Sequence, residues 1–163
     1  MSLISNAAAE LDEDVWRPHV TVATVVPRDG RFLLVEEDVR GKVVLNQPAG
    51  HLEPDESLHH AAVRETFEET GWKVALTCLL GVQQWCSPSG RQFVRFTFGA
   101  EALRHDPAHP LDHGILRALW LDRGEIAAAG ERLRSPMVLA SVDDWIDGRR
   151  LPLDAVRHFC AYP

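Results

Sequence analysis

"GHLEPDESLHHAAVRETFEETGW", residues 50–72, poses an electrostatic problem. Beyond Pro54 the stretch reads as one helix over about residues 56–70, opened by Glu56 and stopped by Gly71. Glu65, Glu68 and Glu69 stand three and four residues apart on it. Like charges at that spacing cost roughly 0.2–0.5 kcal/mol per pair. In a last turn they also oppose the helix dipole. Arg64 can neutralise one carboxylate, and the remaining charge has no partner nearby in the chain. Either water solvates this face or a cation sits on it.

On a helical wheel Glu65 and Glu69 lie together with Glu68 to one side. Leu58, Ala61 and Ala62 share their side, the two alanines leaving room above the helix. Val63, Phe67 and Thr70 point the other way, toward a core. The acidic face is thus expected to be separate from the apolar one. Magnesium takes oxygen ligands, with carboxylates, waters and phosphates in its shell. Three carboxylates and a carbonyl at Gly50, where the missing Cβ permits close approach, suit such an ion.

Outward from the helix, residues 19–26 form a β-branched strand, and Asp29-Gly30 turns it into a hairpin partner over 31–37. A short strand at 42–46 precedes the loop that leads into the helix. Residues 73–85 and 91–103 read as two strands joined by SPSG, with Val94, Phe96 and Phe98 alternating onto the core face. A Pro/Asp/His-rich loop and a strand at 115–121 follow. Two helical stretches at 124–129 and 136–146 close the chain, with Ser135 as N-cap and Pro136 at the first helical position. The expectation is one α/β domain, residues 16–163, behind a short leader, residues 1–15, with a largely mixed sheet between helices.

Composition narrows the function. A net charge of −7 argues against nucleic-acid polymers and acidic membranes. No apolar stretch is long enough for a span, and the N-terminus lacks signal-peptide character. Three cysteines without CxxC spacing read as free thiols of a cytoplasmic protein.

The stretch resembles the Nudix box, G-x5-E-x7-R-E-U-x-E-E-x-G-U, with U a bulky apolar residue. Its fixed positions fall at Gly50, Glu56, Arg64, Glu65, Glu68, Glu69 and Gly71. Thr66 departs from the pattern at one U position; Trp72 fills the other. The resemblance implies an α/β/α sandwich, a mixed sheet flanked by helices, and hydrolysis of a phosphoanhydride with Mg²⁺, Mn²⁺ being a substitute. It implies metal ligation by Glu65, Glu68 and Glu69 with the Gly50 carbonyl, Glu56 reaching the metal through water, and Arg64 orienting a catalytic glutamate. Glu65 is the first choice as base and Asp112 the alternative.

Further stretches, among them "RPHVTVATVV", "NQPAGHLE", "FVRF" and "LRSP", resemble the family's NudJ-type phosphatase branch. That branch implies release of orthophosphate from nucleoside tri- and diphosphates and from thiamine-type pyrophosphates. Gln47, His51, Trp85, Arg95 and Asp112 are then candidates to meet the substrate, with an ordinary structural role as the alternative for His51, Trp85, Arg95 and Asp112. The competing functions are a pyrophosphohydrolase of a dNTP, ADP-ribose or dinucleotide, and a nucleotide sensor without catalysis. The expected partner is a small molecule, and the chain a monomer or homodimer.

Overall fold

The computed structural model describes residues 15–160, so the expected leader, save Val15, lies outside the described residues. Among the described residues, eight strands and three α-helices build two four-stranded sheets between helical layers. The first sheet runs β5 (Ala49–His51), β1 (His19–Val25), β7 (Gln92–His105), β6 (Trp72–Cys86). Its β1–β7 pairing is parallel and the others antiparallel, which makes it mixed. The second is antiparallel: β3 (Arg31–Val39) pairs with β2 (Pro27–Arg28), β4 (Lys42–Asn46) and β8 (Ile115–Asp122). The expected mixed α/β layering is present, divided over two sheets where the sequence reading had one.

Turn chemistry sets the hairpins. Asp29 and Gly30 both take positive φ, 51° and 74°, as a tight two-residue turn requires. Strand β3 buries Phe32, Leu33, Leu34 and Val35 in succession, so both its faces are covered. Phe32 and Leu34 pack with Leu80, Ile126, Val138 and Val142 under α2 (Arg123–Ala128) and α3 (Met137–Ile146). Leu33 joins Val26, Val74 and Ala100 on the opposite face. The third cluster lies under α1 (Leu58–Thr70), where Ala61 and Ala62 meet Val22, Leu79 and Phe98.

Three local expectations are corrected. Helix α1 begins at Leu58, because Ser57 takes extended backbone and accepts from the His60 N–H, leaving Glu56 outside the helix. Ser135 is not the side-chain cap of α3: Pro136 holds the cap position without a side-chain bond, and the Ser135 hydroxyl has no partner. The alanines of α1 leave no open space above the helix, since both are buried against the sheet.

Thr66, the departure from the family pattern, is fully buried. Its hydroxyl donates to the Ala62 carbonyl at 2.7 Å and lies 2.7 Å from the Thr24 hydroxyl on β1. A polar pair therefore replaces an apolar contact between helix and sheet. Thr66→Val strands the Thr24 hydroxyl and is expected to cost about 1–3 kcal/mol. The double variant Thr24→Val, Thr66→Val removes both polar groups and should recover most of that loss in urea unfolding. Equal losses in single and double variants would sink this account.

Candidate active site

Helix α1 buries one stripe: Ala61, Ala62, Glu65, Thr66, Glu69 and Thr70. Two carboxylates thus lie on the packed face, Glu65 and Glu69 each only 8% exposed. This corrects the expectation of a separate acidic face. The small residues beside them let the helix approach β1 and β5, and that approach draws the acids inward. Gly71 ends the helix in the left-handed region, φ 69°, its N–H donating to the Phe67 carbonyl at 2.8 Å.

Gly50 lies within strand β5 and pairs with Val22. A Cβ there would stand 2.0 Å from the Glu65 carboxyl carbon. The glycine is required by the carboxylate packed on it, with no turn involved. On the neighbouring residue, the Ala49 N–H donates to Glu69 Oε2 at 2.9 Å.

Arg64 binds the cluster together. Its Nε and Nη2 donate to Glu56 at 3.0 and 2.7 Å, and Nη1 donates to Glu65 at 2.8 Å and Glu68 at 2.9 Å. Nη2 also reaches the His51 carbonyl at 3.2 Å. The Arg64 hydrogen bonds hold Glu56 below the usual carboxylate range. Burial pushes Glu65 upward, with the Arg64 hydrogen bond opposing and the Glu68 and Asp112 charges adding. Burial pushes Glu69 up to about 8, the Ala49 N–H opposing and Glu65, Glu37 and Asp112 adding. Burial thus raises both carboxyls, Glu65 in spite of its Arg64 partner.

A cavity of about 220 Å³ opens beside this cluster, with Ala49, Gly50 and His51 forming one wall. Trp85 lines it and stacks on Phe93, ring centroids 5.5 Å apart. Arg95 from β7 reaches it, as do Glu37, Asn46, Arg134 and Ser135. Arg95 is 3% exposed, and burial lowers its guanidinium to about 10 against the opposing pull of Glu69 and Glu37.

The residues expected to meet substrate separate into groups. His51, Trp85 and Arg95 line the cavity, and Gln47 does not. Gln47 is buried, accepting from Arg95 Nη2 at 2.7 Å and donating to the Val138 carbonyl at 2.6 Å. It braces Arg95. The His51 ring lies 3.2 Å from His19 Nδ1, and partial burial and His19 hold it below the usual histidine range. Asp112 docks against α1 through its N–H to the Glu68 carbonyl, 3.0 Å. His59 is a packing residue, bonded to the Leu153 carbonyl and set against Phe98.

The family model described as "NUDIX domain" matches residues 15–141. The chain belongs to the Nudix family. This Nudix chain is 43% identical to Phosphatase NudJ of Escherichia coli strain K12 over 145 residues, covering 89% of the chain and 94% of that protein. It is also similar to a solved NUDIX hydrolase from Nitrosomonas europaea, with a TM-score of 0.86 and 43% identity, covering 88% of this chain and 98% of that one. An ADP-ribose pyrophosphatase of Streptococcus suis shares the fold alone, at TM-score 0.64 and 14% identity, covering 83% of this chain and 96% of that one. The chain is accordingly a Nudix hydrolase.

The family's cofactor is a divalent cation, and the donor set of this hydrolase fits one. The fit rests on oxygen donors alone, on the grouping of buried acids on one helix, and on the close seat that Gly50 provides. In the conformation described, Arg64 draws Glu65 and Glu68 together while Glu69 turns to Ala49. Among the described residues no three metal-binding side chains converge on one point.

Sequence reasoning did not single out the cavity residues Glu37, Asn46 or Phe93, and it took Arg134 and Ser135 chiefly as a helix start whose N-terminus could attract phosphate. They come from β3, β4, β7 and the approach to α3, and only the pairing of distant strands gathers them. Small residues at 61, 62, 66 and 70 trace one helical stripe with Glu65 and Glu69, but the stripe does not say which strand will cover it.

Proposed function

We propose that this Nudix hydrolase is a Mg²⁺-dependent phosphohydrolase that releases orthophosphate from nucleoside tri- and diphosphates and from thiamine-type pyrophosphates. One observation carries the reading: Gly50 is at once the seat of the Glu65 carboxylate and a wall of the ring-sized cavity. A phosphate chain leaving that cavity passes directly onto the acidic helix. The similarity to Phosphatase NudJ across most of both chains supports the type of bond attacked.

Glu65, Glu68, Glu69 and the Gly50 carbonyl would hold the cation, with Glu56 in reach through water. When bound, the ion neutralises phosphate oxygens and acidifies water. Glu65 takes the proton of the attacking water as its oxygen bonds to the terminal phosphorus. The bridging P–O bond breaks, and the shortened phosphate chain leaves as the anion. Arg64 fixes the Glu65 carboxylate for this transfer, and Asp112, whose charge acts on Glu65, is the alternative acid. Trp85 offers its face to the ring of the substrate, Arg95 a buried positive charge held by Gln47, and His51 a donor at the rim.

Phosphorus NMR of ATP, GTP, CTP, thiamine pyrophosphate and ADP-ribose with Mg²⁺ tests the proposal. Orthophosphate with a nucleoside diphosphate, or with thiamine monophosphate, is expected. Pyrophosphate with a nucleoside monophosphate would move the attack to the inner bond and favour a pyrophosphohydrolase. Binding without any hydrolysis would mark a sensor.

A further inference from the structure

Among the described residues, three buried side-chain polar atoms have no hydrogen-bond partner: Asn46 Oδ1, Arg95 Nε and the Ser135 hydroxyl. All three residues line the cavity beside Gly50. Buried polar groups are normally paired, so such a cluster marks where a ligand completes the bonding. Their chemistry differs. Asn46 Oδ1 accepts, Arg95 Nε donates, and a hydroxyl rotates to do either.

We infer that this cavity selects a planar ring presenting an amidine edge, a ring nitrogen beside an exocyclic amine, and discriminates against the corresponding lactam edge. Cytosine, adenine and a 4-aminopyrimidine carry the favoured edge; uracil and hypoxanthine carry the reverse. The amine donates to Asn46 Oδ1 and the ring nitrogen accepts from Arg95 Nε. Both residues line the same cavity, and Arg95 Nη2 is bonded to Gln47, the residue after Asn46. The face of Trp85, stacked on Phe93, covers the ring from the side.

What makes the edge selective is that Asn46 cannot turn over to suit the other ring. Its Nδ2 donates to Glu37 Oε1 at 3.4 Å, and the same carboxylate oxygen pairs with Arg134 Nε at 3.3 Å. Flipping the amide would set Oδ1 against that carboxylate. Arg95 has no acceptor to offer in any orientation. A lactam edge would therefore place its carbonyl against Asn46 Oδ1 and its N–H against Arg95 Nε. Both contacts oppose like with like. Ser135 adapts to either edge and contributes no choice.

The inference rests on the cavity being the substrate site of the proposed reaction, and the test separates the two. Isothermal titration of the full-length protein with CMP against UMP, and AMP against IMP, reads the edge alone. Each amino-substituted nucleotide is expected to bind about tenfold more tightly or better, within the discrimination of a paired donor–acceptor contact. The kcat/KM for CTP over UTP should show the same preference. Asn46→Ala should abolish it for both ring pairs.

Equal affinities within each pair, no detectable binding of any of the four, or a preference that survives in Asn46→Ala would overturn the assignment. If Asn46→Ala fails to fold, the wild-type comparison still decides. CMP preference without hydrolysis of any triphosphate would sink the proposed reaction and leave the edge selectivity standing. Hydrolysis with no preference would do the reverse.

Discussion

Replacing Glu69 by Gln is expected to lower kcat by roughly 100-fold or more, while making the metal-free protein more stable near pH 8. The two effects share one cause. Glu69 is buried, and its carboxyl is pushed up to about 8 by that burial. A carboxyl whose folded value exceeds its unfolded value contributes its stability in full below the unfolded value, near 4.5. That contribution is lost as pH rises through about 8. Metal-free wild type should therefore melt at progressively lower temperature between about pH 5 and pH 8. Glutamine is neutral throughout and its carbonyl can accept from the Ala49 N–H as Glu69 Oε2 does. The variant's melting curve should be flatter over the same range. Added Mg²⁺ should raise the melting temperature of wild type through linkage, and raise that of the variant less. Calorimetry with EDTA and with Mg²⁺, at several pH values, checks the stability arm, and phosphate release checks the rate. Full activity in Glu69→Gln would remove the role proposed for this carboxylate.

The second large effect is expected at Arg64, where Lys should lower kcat by about 100-fold with KM little changed. Charge is conserved in this variant, so geometry is what it tests. The guanidinium holds Glu56 through Nε and Nη2 while Nη1 spans Glu65 and Glu68. A lysine ammonium is one nitrogen on a flexible stem and cannot occupy both sides of that fork. Glu65 then loses its fixed orientation beside Gly50, and a misplaced base transfers protons slowly. Arg64 is a positioning residue in this account, which is why the loss should appear in kcat. The melting temperature should fall by several degrees as well, since Glu56, Glu65 and Glu68 lose a common partner. A Lys variant with wild-type kcat would show that the fork geometry is dispensable. An increase confined to KM would place Arg64 on the substrate.

Both predictions turn on features that the chain displays unequally. The spacing of Glu65, Glu68 and Glu69, the arginine before them and the glycine after them are local, and helical periodicity alone places the acids together. Asp29-Gly30 likewise announces its turn, because both residues tolerate positive φ. Local geometry also leaves errors. The same wheel puts Ala61 and Ala62 beside the acids, which reads as open space until strand β1 is laid against them. Ser135-Pro136 reads as a cap because of its residue types, yet the serine hydroxyl is buried without a partner in a residue that lines the cavity.

By itself, then, the sequence determined the acidic helix, its glycine stop and the family resemblance, and it posed the choice between water and a cation on the acidic face. These follow from residue types a few positions apart on one element. The tertiary structure alone decided that Glu65 and Glu69 are buried, that Gly50 is a seat for a carboxylate, and that Gln47 braces Arg95. It alone brought Glu37, Asn46, Arg95 and Ser135 around one cavity. Burial, and the raised carboxyls that come with it, depends on which strands pair across the sheets, and periodicity along one helix carries no information about the surface that will cover it.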